Sequence, residues 1–175
     1  MKISYGDIDI FSYSYLIFGR IEKIGYEMEL GIVIYDKAKY YFDDLPEDLS
    51  IEQAYVHTGM FLGWIIENHL FSKAFEEKSR DDINKFNLRQ MTGTQIYIKW
   101  GGVLADDMLN DEGNQFAMYY FNSDNDWKYL YDYRDVFVGA GETLYHAQDT
   151  WENYFELKEE VDYSYLNWKN NIRKL

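Results

Sequence analysis

The sequence predicts a mainly α fold of the α+β class: a helical domain around a central buried helix, preceded by a β-rich segment of two or three strands. Three observations carry this expectation. Residues 1–42 alternate apolar and polar positions, "AYVHTGMFLGWIIENHL" (54–70) is apolar on nearly every helical face, and 149–169 repeats large apolar residues every three or four positions. At 175 residues the chain has the size of a single domain over 1–175, with the strand-rich segment at 1–42 and a helical body at 50–170.

Each element follows from local signals. "SYGDIDIFSYSYLIFG" and "GYEMELGIVIY" are rich in Tyr, Ile and Phe and are separated by a glycine-bearing turn, which reads as strands. Within them Tyr26, Met28 and Leu30 alternate with Glu27 and Glu29, giving one buried face. "DDLPEDLS" holds the only proline, Pro46, and reads as an irregular connection. Ser50 then opens a helix as N-cap of a capping box closed by Gln53. Next come amphipathic helices anchored by Phe71, Phe75, Ile83 and Phe86. A second cap at Thr92 starts "IYIKWGGVLADDML", where Ile96, Trp100, Val103 or Leu104, and Met108 keep helical spacing across Gly101 and Gly102. A short helix carries Phe116, Tyr119 and Tyr120, and "DWKYLYDYRDVF" reads as another. The last helix has Asp149 as N-cap and Glu152 three residues on, then Trp151, Tyr154, Phe155, Val161, Tyr165 and Trp168 on one stripe.

Gly59 and Gly63 share a face of the central helix. Each costs about 1 kcal/mol relative to alanine. That cost is offset if another backbone packs closely against them.

Composition excludes several functions. With no cysteine there is no disulfide framework and no thiolate metal site. No apolar run reaches the length of a membrane span. The N-terminus places Asp7 and Asp9 where a signal peptide has its apolar region, so the expected location is the cytoplasm. The charge balance is 31 acids to 17 bases, a net −14. Residues 101–150 hold ten acids against Lys128 and Arg134 alone. This field repels nucleic acid and anionic membranes and steers basic partners inward.

Catalytic signatures are sparse. His57 and His69 lie twelve residues apart, roughly 18 Å along a helix, too far to share a metal. A site pairing His57 with His146, with a carboxylate from Glu67 or Asp149, stays open as the alternative reading: an enzyme or a small-ligand or metal-binding protein. No G-x-S-x-G elbow, phosphate loop or dinucleotide fingerprint occurs, and neighbouring acids such as Asp106 and Asp107 lack calcium-loop spacing. No cofactor and no metal are therefore expected.

The tyrosines point elsewhere. There are eighteen, many interleaved with aspartates in "AMYYFNSDNDW" and "WKYLYDYRD". Tyrosine anchors among steering acids suit a protein-binding surface, while aromatic core packing is the plainer account of them.

The blocks "YDKAKYYFDDLPEDLSIEQAYVHTGMFLGWIIENHL", "GVLADDMLNDEGNQFAMYYF" and "LYHAQDTWENYFEL" resemble, in order and spacing, an uncharacterised bacterial family defined only as a domain of unknown function. "HTGMFLGW" and "DTWENY" are its most specific pieces. The resemblance covers about 35–169 and brings no activity or catalytic residue with it. Small acidic bacterial proteins of this kind resemble immunity proteins of toxin systems. That analogy implies a cytoplasmic inhibitor of a cognate basic toxin such as a nuclease, with an acidic Tyr-rich face standing in for a polyanionic substrate. The expected face comprises Asp106, Asp107, Asp111, Glu112, Asp124, Asp126, Tyr131 and Asp132. A self-associating scaffold, a homo-oligomer, is a third reading.

Overall fold

A hairpin opens the described chain. Strand β1 (Glu27–Glu29) turns through Gly31, whose φ of 87° a side chain would disfavour, into β2 (Ile32–Lys37), pairing Met28 with Val33. In this computed structural model the described residues are 27–29, 31–122, 127–139 and 141–172. The strands expected upstream of Glu27, and the alternation of Tyr26, Met28 and Leu30, lie outside the described residues and side chains. On its other edge β2 pairs antiparallel with β3 (Val103–Ala105), giving the order β1-β2-β3. The register slips between Ile34, opposite Ala105, and Asp36, opposite Leu104, so Tyr35 is the extra residue of a β-bulge. A bulge re-aims the side chains beside it, and here Ile34, Tyr35 and Asp36 in succession are all buried.

The rest is helical: α1 (Val56–Glu67), α2 (Lys73–Asn87), α3 (Gly93–Lys99), α4 (Asp111–Tyr120), α5 (Lys128–Phe137) and α6 (Trp151–Ile172). The fold is thus mainly helical α+β. As the sequence implied, α1 is its axis: every residue from Val56 to Ile66 is buried. Phe61 alone meets the rings of Trp64, Phe116, Tyr120, Phe121 and Tyr129 at centroid distances of 4.9–6.2 Å.

Several local readings shift. The Ser50 box does not form. Ile51–Tyr55 winds as a 3-10 turn, the Gln53 N–H donates to the Ser50 carbonyl oxygen, and the Ser50 hydroxyl instead holds the Glu52 carboxyl below its usual range. The Thr92 box does form: the Gln95 N–H donates to Thr92 Oγ1 at 3.2 Å and the Thr92 N–H to Gln95 Oε1 at 3.0 Å. Its helix stops at Lys99 rather than running to Met108. Gly101 and Gly102 take φ of 71° and 65°, a left-handed turn that releases the chain into β3. The cap of α6 is one residue later than expected. The Asn153 N–H donates to Thr150 Oγ1 at 3.2 Å, and Asp149 faces elsewhere. Along α6, Tyr154, Leu157, Val161 and Trp168 are buried, whereas Phe155 is exposed.

Candidate functional site

The bulge at Tyr35 drives a carboxylate into the interior. Asp36 accepts a hydrogen bond from Tyr41 Oη at 2.9 Å through Oδ1 and one from Thr58 Oγ1 through Oδ2. Tyr41 comes from the 3-10 turn Ala38–Asp44, and Thr58 from the first turn of α1, where the helix dipole favours a negative charge. His57, with 0% exposure, brings Nε2 to 3.5 Å from Asp36 Oδ2. Its ring stands edge-on to Tyr41 at 4.4 Å and to Tyr133 at 6.0 Å, while the Tyr129 hydroxyl donates to its carbonyl oxygen. Among the described residues neither His57 ring nitrogen finds a hydrogen-bond partner, nor does the Tyr133 hydroxyl. Burial pushes the Tyr41 hydroxyl far above its ordinary pKa, and the Asp36 charge adds to the shift. Tyr97 shifts upward for the same two reasons in the same order. The cluster is a buried histidine–carboxylate pair with hydroxyl donors, and its Tyr41 also packs in a second apolar cluster with Ala54 and Tyr145.

The other members of the histidine alternative are not drawn into this cluster by their hydrogen bonds. Glu67, at the far end of α1, accepts from the Tyr154 hydroxyl. His146 is half-buried, and its Nδ1 accepts from the Thr143 N–H at 3.0 Å. Asp149 accepts from Thr92 Oγ1 at 2.6 Å beside a cavity of about 10 Å³, room for roughly one water. Burial raises its pKa against the pull of the Thr92 and Thr94 hydroxyls. Among the described residues no three His, Asp or Glu side chains are grouped to hold a metal.

The expected acidic face divides. Asp107 and Asp111 are exposed, Asp106 is half-buried, and all three lie at the β3–α4 junction. Tyr131 is exposed on α5. Asp132 is 7% exposed and faces inward, accepting from Tyr120 Oη at 2.7 Å, Ser164 Oγ at 2.8 Å and Lys128 Nζ at 2.7 Å. It ties α4, α5 and α6 together. Glu112 is half-buried and takes Lys169 Nζ and Tyr165 Oη, each at 2.5 Å. Asp124 and Asp126 lie outside the described residues. The tyrosines divide likewise: Tyr35, Tyr41, Tyr97, Tyr120, Tyr129, Tyr133, Tyr145 and Tyr154 are core residues.

A family model described as a domain of unknown function (DUF7832) matches residues 34–147. The chain belongs to the DUF7832 family. Comparison with curated proteins finds no match, and comparison with solved structures finds none. The DUF7832 region begins two residues before Asp36 and encloses the whole Asp36–His57 cluster. It contains the "HTGMFLGW" block and ends before "DTWENY", so α6 and Asp149 follow it.

Sequence reasoning singled out His57 but passed over Asp36, Tyr41 and Thr58. One signal was available: Asp36 is the first charge after the apolar run "GIVIY" and sits at the end of a strand.

Proposed function

We propose that this DUF7832 protein is an immunity protein of the cytoplasm, which binds a cognate basic toxin such as a nuclease and occludes its active site. The observation that carries the reading is how charge is spent. Lys99, Lys128, Lys158 and Lys169 are each paired internally, with Asp82, Asp132, Asp162 and Glu112. Surplus carboxylates are left facing solvent, among them Asp43, Asp44, Glu47, Asp48, Glu52, Asp107 and Asp111. Surface charge of one sign accelerates encounter with an oppositely charged protein and repels nucleic acid and anionic membranes. On this reading Asp106, Asp107, Asp111 and Tyr131 meet the partner, while Asp132 and Glu112 hold the helices that present them.

Co-expression tests it. The toxin encoded beside this gene should be lethal alone and tolerated with this protein, and the two should co-purify. Survival no better than with an empty vector would overturn the reading.

A second reading, a small-ligand or catalytic site, draws on the ring nitrogens of His57, which have no hydrogen-bond partner among the described residues, beside Asp36. A ligand would have to part Tyr41 from Tyr145, so its binding should be slow and abolished in His57→Asn. Ligand screening by thermal shift that yields no His57-dependent hit removes it.

A further inference from the structure

The outer face of α6 exposes three large apolar side chains. Phe155, Tyr163 and Leu166 are 40%, 62% and 58% exposed, although the opposite face of the same helix is core. At 100° per residue the three fall within one strip about 80° wide. Glu152 and Glu159 fall within that strip and Glu156 about 20° beyond its edge, at i, i+7 and i+4, and all three are exposed. It runs roughly 27 Å from Glu152 to Asn170. No lysine or arginine of α6 lies on it: Lys158 is turned to Asp162 and Lys169 to Glu112. Arg89 stacks 4.6 Å over the Phe155 ring.

Local stability does not account for this arrangement. The helix dipole favours Glu152 in the first turn, but Glu156 and Glu159 lie beyond its reach. Like charges three and four residues apart oppose the helix. An exposed phenylalanine, tyrosine and leucine on one strip contribute little to folding unless something covers them.

Charge decides what that is. A second copy would bring another net −14 surface against the strip. A basic amphipathic helix would cover the apolar residues and neutralise the glutamate line together. We infer that the Phe155–Tyr163–Leu166 strip of α6 is a docking surface for an amphipathic helix of the partner protein, apolar on its contact face and bearing lysine or arginine along the edge that meets Glu152, Glu156 and Glu159. This adds a second contact surface to Asp106, Asp107, Asp111 and Tyr131 of the proposed immunity protein and rests on its having a basic protein partner.

The test uses the full chain and a fluorescent amphipathic peptide of leucine and lysine as probe, read by anisotropy. Phe155→Ala with Leu166→Ala keeps the charge and should weaken the probe at least about tenfold, the loss expected of an interface anchor. Glu156→Lys with Glu159→Lys should do the same. Glu77→Gln, at an exposed position of α2, should leave binding within about twofold, and thermal melts should show every variant folded. Equal binding by the wild-type chain and the Phe155/Leu166 variant would overturn the inference, as would a wild-type dimer in light scattering that this variant dissolves. The two readings separate in the co-expression assay. Rescue by wild type and equally by the strip variants keeps the immunity function and rejects the surface, whereas no rescue by wild type rejects the function itself.

Discussion

Gly93 packs onto Gly59 with no room for a side chain between them. A β-carbon on Gly93 would sit 2.3 Å from the Gly59 carbonyl oxygen and 2.7 Å from the Gly63 α-carbon, and one on Gly59 would sit 2.3 Å from the Thr94 α-carbon. The atoms in the way are backbone, so neither helix can give. Gly59→Ala or Gly93→Ala should therefore destabilise the protein by about 2 kcal/mol or more, despite alanine's gain of about 1 kcal/mol in helix propensity. Urea midpoints measure this. A neutral or stabilising result would mean that α1 and α3 do not cross here.

Asp36 should be costly to remove. Asp36→Ala leaves the Tyr41 and Thr58 hydroxyls buried without an acceptor, at an expected cost of about 3 kcal/mol. Tyr41→Phe removes one donor and keeps the ring, costing about 1 kcal/mol. Chemical denaturation of both variants checks that order, and equal losses would argue against a shared acceptor.

Asp132 and Asp107 should part company. Asp132→Ala strips the acceptor from Tyr120, Ser164 and Lys128 and should cost about 2–4 kcal/mol of stability. Asp107→Ala, at an exposed position, should change stability by less than about 0.5 kcal/mol and slow association with a basic partner. Thermal melts and association rates together make the distinction.

Alkaline unfolding should be cooperative with tyrosine ionisation. Burial raises the hydroxyl pKa of Tyr41, Tyr97, Tyr120, Tyr129, Tyr133 and Tyr154 above the ordinary 10.0. A raised folded-state value means that the folded chain keeps these protons where the unfolded chain releases them. Their contribution is complete below pH 10 and declines as the pH climbs past it. Tyrosinate absorption from these side chains should appear together with the loss of helical circular dichroism. A gradual rise with the helices intact would contradict their burial.

Asp149 should behave in the opposite sense to a paired surface acid. Its folded pKa is raised above 3.8, chiefly by burial, so ionisation above that range opposes folding and the opposition fades as the pH falls toward 3.8. Asp149→Asn keeps an acceptor for Thr92 and should equal or exceed the wild type in stability at about pH 7, with the difference gone by about pH 3. Denaturation at both values decides it.

Periodicity carried most of the architecture because it reports burial directly. The all-round apolar α1, the stripe of α6 and the Thr92 cap are readable because each depends on residues close in sequence. Failures cluster where one residue had two local uses. Ser50 turned to Glu52, the cap of α6 moved from Asp149 to Thr150 because Asp149 bonds Thr92 across the molecule, and Gly101–Gly102 ended a helix whose apolar spacing continued into a strand. The site was less legible. His57 stood out as a rare residue, but its carboxylate lies twenty-one positions earlier, and only the bulge at Tyr35 brings the two together.

By itself, then, the sequence determined the helical class, the central place of α1 and the acid surplus, since composition and spacing are properties of the chain alone. The need for close backbone packing at Gly59 was visible there too, while the neighbour that fills it, Gly93, was not. Tertiary structure alone decided which acids are tools of folding and which face solvent. Asp36 and Asp132 went inside because hydroxyl donors from other elements converge on them, joined at Asp132 by Lys128 of its own helix, while Asp107 faces solvent, and no local pattern records which hydroxyls a carboxylate will meet.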